Sequence, residues 1–179
     1  IHIRISNHST PQAISALKEG TADIAVVTTP TVQAASLTET LVKPITEVAV
    51  CSPYFTALTG RQVSLADLVH FPLISLGKDT KSFAFFSGLF TEHGLPYQPD
   101  IEAFTADQIL PMVQADLGVG FVPEEFLQDS SGVCKIDLKE PIPKRHIALI
   151  KRKEQPLSVA ARELVHMILE QSESDALAV

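Results

Sequence analysis

Val113-Gln114-Ala115-Asp116-Leu117-Gly118-Val119-Gly120-Phe121-Val122-Pro123 passes from a helix into a strand within one short stretch. Thr105 and Gln108 have the spacing of a reciprocal cap and open that helix. It is expected to run to Leu117, with Pro111 kinking or loosening its first turns. Gly118 stands where a left-handed C-terminal cap belongs, and Val119 to Val122 is an apolar strand ended by Pro123. Gly118-Val119-Gly120 looks like half of a dinucleotide fingerprint, but that fingerprint runs strand to helix and this stretch runs helix to strand. The two glycines are therefore expected to stop the helix and let the strand pack closely.

The same alternation extends in both directions. Ile1, Ile3 and Ile5 alternate with His2, Arg4 and Ser6, the period-two mark of a strand. Ser9-Thr10-Pro11 starts a helix that Gly20 stops, and Ile24-Ala25-Val26-Val27 is an apolar run of the kind found in interior parallel strands. Further extended stretches are expected at Glu47 to Ser52, Pro72 to Leu76, Ile101 to Phe104 and Ile147 to Ile150. Short helices are expected after Ser64 and over Ser82 to His93. A last amphipathic helix from Ser158 to about Gln171 has Leu157, Ala161, Leu164, Val165 and Ile168 on one face, with residues 172–179 fraying. Strands and helices in alternation mean an α/β sheet, mostly parallel.

The 179 residues carry a formal net charge of −7, with 45% hydrophobic and 20% charged side chains. That composition excludes a disordered chain, and the acidic balance argues against nucleic-acid binding by the net field. No apolar run approaches a membrane span, and the first residues are too polar for a signal peptide. Lys144, Arg145, Lys151, Arg152 and Lys153 lack interleaved aromatics and read as a solvated strand end. Cys51 and Cys134 lie far apart in sequence and read as inert small hydrophobes, with no C-x-x-C. The histidines have no metal-ligand spacing, so neither metal nor cofactor is expected. No nucleophile elbow or phosphate loop occurs. A binding protein is favoured over an enzyme.

Hydroxyl residues recur where strands hand over to helices: Ser9-Thr10, Thr28-Thr29, Thr80 to Ser82, and Thr105. In an open α/β sheet these junctions lie along the carboxyl edge, where ligands bind. Each hydroxyl alone is explained by helix capping. Together, beside Lys78 and Lys81 and against Asp79 and Asp107, they suggest a small anionic or zwitterionic ligand held at helix N-termini.

Four segments resemble LysR-type transcriptional regulators. Leu17-Lys18-Glu19-Gly20-Thr21-Ala22-Asp23-Ile24-Ala25 is similar to the family's L-x-x-G-x-x-D-(I/L)-A, and Ser64-Leu65-Ala66-Asp67-Leu68 before Phe71-Pro72-Leu73-Ile74 to its S-L-x-D-L…P-L-I. Val113 to Pro123 resembles V-x-x-G-x-G-(I/V)-x-(L/V)-(L/V)-P, with Asp116-Leu117 where Gly-Leu or Gly-His is common. Leu157-Ser158-Val159-Ala160-Ala161-Arg162 resembles L-S-P-A-A-R with Val159 for Pro. The resemblance covers nearly all of residues 1–172.

It implies the effector-binding domain of such a regulator, with the fold of type 2 periplasmic binding proteins: two α/β lobes, two crossover strands and a ligand cleft between. Lobe I would comprise residues 1–50 and 143–179, and lobe II residues 51–142, with Cys51-Ser52-Pro53 in the first hinge. The matching cleft positions are Asn7, Ser9 and Thr10; Thr28 and Thr29; Ser52; Thr80, Lys81 and Ser82; Thr105; and Val122-Pro123. The chain opens without Met, in mid-pattern, and reads as a fragment. The family has a winged helix–turn–helix and a first strand–helix unit of lobe I ahead of the equivalent of Ile1. DNA contact is implied only through that upstream domain. A small-molecule effector, a homodimer (a tetramer in the full-length protein), no membrane and a bacterial cytoplasmic location are implied as well. Phe83, Phe85, Phe86 and Phe90 cannot all face one stripe. They fit either a core helix with one ring half exposed or the dimer surface that the resemblance places on this helix. The peroxide-sensing branch of the family carries redox cysteines in and after a loop like residues 77–82, and this chain has none there. The rival reading is an extracytoplasmic solute-binding protein of a transporter. An enzyme on the same fold would need an ionisable constellation in the cleft.

Overall fold

The computed structural model describes residues 2–31, 34–128 and 130–177. In chain order it contains α1 (Thr10–Glu19), β1 (Ile24–Thr28), β2 (Leu37–Ile45), β3 (Glu47–Cys51), β4 (Gln62–Val63), α2 (Leu65–Leu68), β5 (Leu73–Leu76), α3 (Lys81–Glu92), β6 (Ile101–Ala103), α4 (Ile109–Gln114), β7 (Val119–Pro123), β8 (Cys134–Lys135), β9 (Asp137–Leu138), β10 (Arg145–Arg152) and α5 (Val159–Leu177). Internal contacts divide the chain into two units, Ile1–Pro44 with Arg145–Val179, and Ile45–Lys144. The division falls at residues 45 and 145 rather than at 51 and 143, because β3 is bonded on both sides into the sheet of the second unit.

In the first unit the sheet order is β1-β10-β2. Pro11 and the Ser9 N-cap start α1, and Gly20, at φ 78°, ends it. Ala13, Ile14 and Leu17 of α1 pack on Ala25 and Val27 of β1 and on Ile150 of β10. β1 departs from the sequence expectation. It is antiparallel to β10 and lies at the sheet edge, so its apolar run is buried on one face only and Val26 is 52% exposed. The strand expected at the start of the chain does not form over the residues described there. Ile3 and Ile5 are exposed, and no described strand pairs with the segment to bury its apolar alternation. Ile1 lies outside the described residues. Arg152 closes the other end of α1: its Nη1 donates to the carbonyls of Leu17 and of Ala22 (2.7 Å), and its Nη2 is 3.6 Å from Asp23. α5 continues past Gln171 to Leu177, where fraying was expected, and the Ser172 hydroxyl donates to the Val42 carbonyl. Residues 178–179 lie outside the described residues.

The second unit holds a five-stranded sheet, β6-β5-β7-β3-β8. β6, β5 and β7 are parallel, and β3 is antiparallel to β7 and β8. Both sheets are thus more antiparallel than the apolar runs suggested. One face carries α3, which places Phe86, Leu89 and Phe90 against Leu73, Val119 and Phe121. The other carries α4, which places Ile109 and Val113 against Val48, Val50, Ile74 and Val122. β3 is buried along its whole length. The phenylalanine helix resolves simply: Phe86 stacks on Phe121 at 4.4 Å, Phe90 meets the same ring edge-on, and Phe83 leans on Tyr97 at 5.3 Å. Phe85, half-buried, packs edge-on against Phe86.

The helix-to-strand stretch differs in one detail. α4 ends at Gln114, and the left-handed residue is Asp116, at φ 61°. Gly118 is needed for space instead: a Cβ there would lie 2.4 Å from the Pro72 carbonyl oxygen, the acceptor of the Val119 N–H. At Gly120 a Cβ would meet the Ile109 Cγ2 at 2.5 Å. Close packing, not nucleotide binding, explains both. Two stability measurements check this. Gly118→Ala is expected to cost about 2–3 kcal/mol in urea unfolding, because a backbone carbonyl must move. Asp116→Gly is expected to stabilise by about 0.5–1 kcal/mol, because glycine adopts φ > 0 without strain.

Candidate functional site

In the second unit the parallel strands β5, β6 and β7 deliver their carboxyl ends to one edge. Leu76 lies opposite Ala103, and Ile74 opposite Gly120. Thr80, Lys81 and Ser82 therefore follow β5, Thr105 follows β6, and Pro123 ends β7 along that edge. Thr80 caps α3. Its hydroxyl accepts from the Phe83 N–H (3.1 Å) and donates to the Gly77 carbonyl (2.7 Å), and the residue is buried. Lys81 and Ser82 stand half-exposed on the first turn of α3. The N–H groups of Phe104 and Thr105 donate to Gln108 Oε1 at 2.9 and 3.2 Å, and Phe104 is left 75% exposed beside Thr105.

Two expected positions do not belong here. The Val122 side chain is buried in the α4 face of the core, because alternation along β7 turns it onto that face. Ser52 follows the end of β3, which is antiparallel to β7, so it lies at the opposite edge of the sheet. It is also buried, with its Oγ accepting from the Tyr54 N–H at 3.3 Å.

Glu47 and Glu102 at this edge leave no mark in the sequence. Glu47 opens β3 directly opposite Pro123 and is buried. A Cβ on Gly77 would lie 2.9 Å from Glu102 Oε1 and 3.0 Å from Asp79 Oδ1, so two carboxylates border the loop into α3. Buried glutamate on an apolar strand and a carboxylate brought from β6 leave no local sequence signal. The glycine before Lys78-Asp79 was the one available hint.

In the first unit, α1 returns through a short turn to run alongside β1, so its N-terminus comes to the carboxyl end of that strand. Ser9 and Thr10 thereby share one end of the unit with Thr28 and Thr29. Gln12 Oε1 accepts from the Ser9 N–H at 3.0 Å, whereas Ser9 Oγ is buried with no hydrogen-bond partner among the described residues. Thr28 and Thr29 are tied to β10. Arg145 Nη2 donates to Thr28 Oγ1 (2.9 Å), Arg145 Nε to the Thr29 carbonyl (2.6 Å), and the His146 N–H to Thr29 Oγ1 (2.9 Å). Arg145 is 2% exposed, which corrects its reading as part of a solvated strand end. Asn7 is exposed, on the irregular segment ahead of α1. Among the described residues no group of three or more His, Cys, Asp or Glu could hold a metal ion, and no helix is long and apolar enough to cross a membrane.

The family model for the LysR substrate binding domain matches residues 1–173. The chain belongs to the LysR substrate-binding domain family. It is 32% identical over 149 residues to the uncharacterized HTH-type transcriptional regulator YwbI of Bacillus subtilis (strain 168), covering 80% of this chain and 48% of that protein. The chain thus spans about half the length of that relative. The fold matches two solved domains at low identity. The CcmR regulatory domain of Synechocystis PCC6803, in complex with 2-PG, gives a TM-score of 0.79 at 14% identity, covering 92% of this chain and 80% of that one. The effector-binding domain of QuiR, in complex with shikimate, gives 0.80 at 17%, covering 93% and 79%. This is the type 2 periplasmic-binding-protein fold.

The Arg145 fork tests how this LysR domain holds its first-unit hydroxyls. Arg145→Lys keeps the charge but cannot reach both Thr28 and Thr29. It is expected to lower unfolding stability by about 2 kcal/mol in denaturant titration.

Proposed function

We propose that this domain is the effector sensor of a LysR-type transcription regulator and takes a small anionic metabolite. The observation that carries the reading is the polar end of each unit: Ser9, Thr10, Thr28 and Thr29 on one, and Thr80, Lys81, Ser82, Thr105 and Pro123 on the other. Two helix N-termini long enough to attract an anion, those of α1 and α3, open there. The Ser9 hydroxyl, buried without a hydrogen-bond partner among the described residues, is a donor ready for a ligand oxygen. CcmR and QuiR, bound to 2-PG and shikimate, support a small oxygen-rich acid as the effector class.

Binding changes the geometry of a dimer, and a coupling of about 1–3 kcal/mol suffices to bias an attached DNA-binding module. The protein works in the cytoplasm as a dimer, or as a tetramer when full length, and carries out no chemical step. Phe83 and Phe85 on α3, half-buried rather than bare, form part of the pairing surface. Asp79 and Glu102, next to Gly77, favour a second ligand class, a zwitterion whose amine meets those carboxylates.

Calorimetric titration with small carboxylates, phosphates and amino acids tests this. Ser9→Ala and Thr105→Val are each expected to weaken the bound compound about five-fold, one lost hydrogen bond apiece. A compound that binds equally well to both variants places the site elsewhere. Binding confined to amino acids, and weakened by Glu102→Gln, selects the zwitterion.

A further inference from the structure

Cys51 and Cys134, separated by most of the second unit in sequence, are directly opposite each other in the antiparallel β3–β8 ladder. Residues opposite in such a ladder project on the same face. Here both thiols enter one apolar cluster, with Cys51 fully buried and Cys134 half-buried against it. The ladder continues past them, because the Ile136 N–H donates to the Ala49 carbonyl at 2.8 Å. From this geometry we infer that Cys51 and Cys134 are a disulfide-forming pair, closed by thiol–disulfide exchange with a low-molecular-weight disulfide.

The Ile136–Ala49 bond makes 49/136, and with it 51/134, a hydrogen-bonded pair, whose Cβ atoms stand about 5.5 Å apart where a disulfide needs about 3.5–4.5 Å, so closure requires a movement of about 1–2 Å. β8 can supply it. It is a two-residue strand at the sheet edge, bonded to β3 on one side and to no described strand on the other. The loop before it is held by a long side chain, Gln114 Nε2 donating to the Ser131 carbonyl. The ion pair of Lys135 with Glu124 is likewise between flexible side chains.

The order of events follows from exposure. Cys134 is the thiol that an oxidant reaches. Its thiolate attacks one sulfur of the external disulfide, whose S–S bond breaks and releases one thiolate. Cys51 then attacks the Cys134 sulfur. The internal S–S bond forms, the mixed S–S bond breaks, and the second external thiolate leaves with the Cys51 proton. Two protein thiols are oxidised and one external disulfide is reduced to two thiols. Burial, and then the neighbouring Cys134, push the Cys51 thiol up to about 11, so Cys51 does not react with the external disulfide itself and attacks only the adjacent Cys134 sulfur.

Incubating the native domain in glutathione redox buffers, trapping free thiols by alkylation and mapping linked peptides tests the assignment. The expected product is a Cys51–Cys134 cross-linked peptide from monomeric protein, reversed by dithiothreitol and accompanied by a rise in Tm of about 5 °C. Cys134→Ser, which alters only the half-buried partner, is expected to leave Cys51 unmodified and Tm insensitive to the buffer. A glutathione adduct that persists on Cys134, a cross-link between two copies, or an internal link that appears only in denaturant overturns it.

Discussion

The approach of the chain at Gly118 to the Pro72 carbonyl, with the Val119 N–H donating to that oxygen, joins β7 to β5 without a side chain between them. With β6 added on the other side of β5, three strands run in one direction and their carboxyl ends share an edge. α3 and the turn that caps α4 both begin at that edge, so their unpaired N–H groups gather where the chain is least covered. The polar end of the second unit follows from this backbone contact and not from any one polar residue. Gly120 repeats the device one residue pair further along, letting Ile109 and Val113 seat directly on the sheet.

The hydroxyls at the two polar ends have unequal freedom. Thr80 is engaged as donor and acceptor by its own helix and loop, so its part is to hold the α3 N-terminus open. Thr28 and Thr29 are oriented by the buried Arg145 fork and the His146 N–H. Ser9 is the exception: its N–H donates to Gln12 Oε1, while its buried Oγ, facing the Gln12 N–H in the capping box, has no hydrogen-bond partner among the described residues. A buried, unsatisfied hydroxyl costs stability, and a ligand oxygen would recover that cost on binding. The same unit shows how arginine serves structure at both ends of one strand, Arg145 beneath the β1 carboxyl end and Arg152 on the last carbonyls of α1.

The elements most legible in the sequence were those with a local physical signature. Ser9-Thr10-Pro11 with Gly20 bounded α1, Ser64 with Asp67 capped α2, and the helix expected from Ser82 forms as α3 one residue earlier, capped by Thr80. What failed depended on neighbours that no local pattern names. Ile24 to Val27 looks interior, but it lies at an edge because β10 returns beside it from more than a hundred residues away. Ile1, Ile3 and Ile5 alternate like a strand, yet alternation forms nothing unless another strand pairs with it. Gly118 looked like a left-handed cap, but Asp116 takes that conformation, at the position where family members often carry glycine. Of the candidate site residues, the hydroxyls at strand–helix junctions came to the two polar ends. Ser52 and Val122 did not, because one lies at the far end of an antiparallel strand and the other points into the core. Strand register is also what hid the Cys51–Cys134 pairing.

A structure of the domain with its effector tests the central claim most directly. The account predicts the anionic group of the ligand within hydrogen-bonding distance of the first-turn N–H groups of α3 and of Thr105. An effector seated at the Ser52 edge would contradict it.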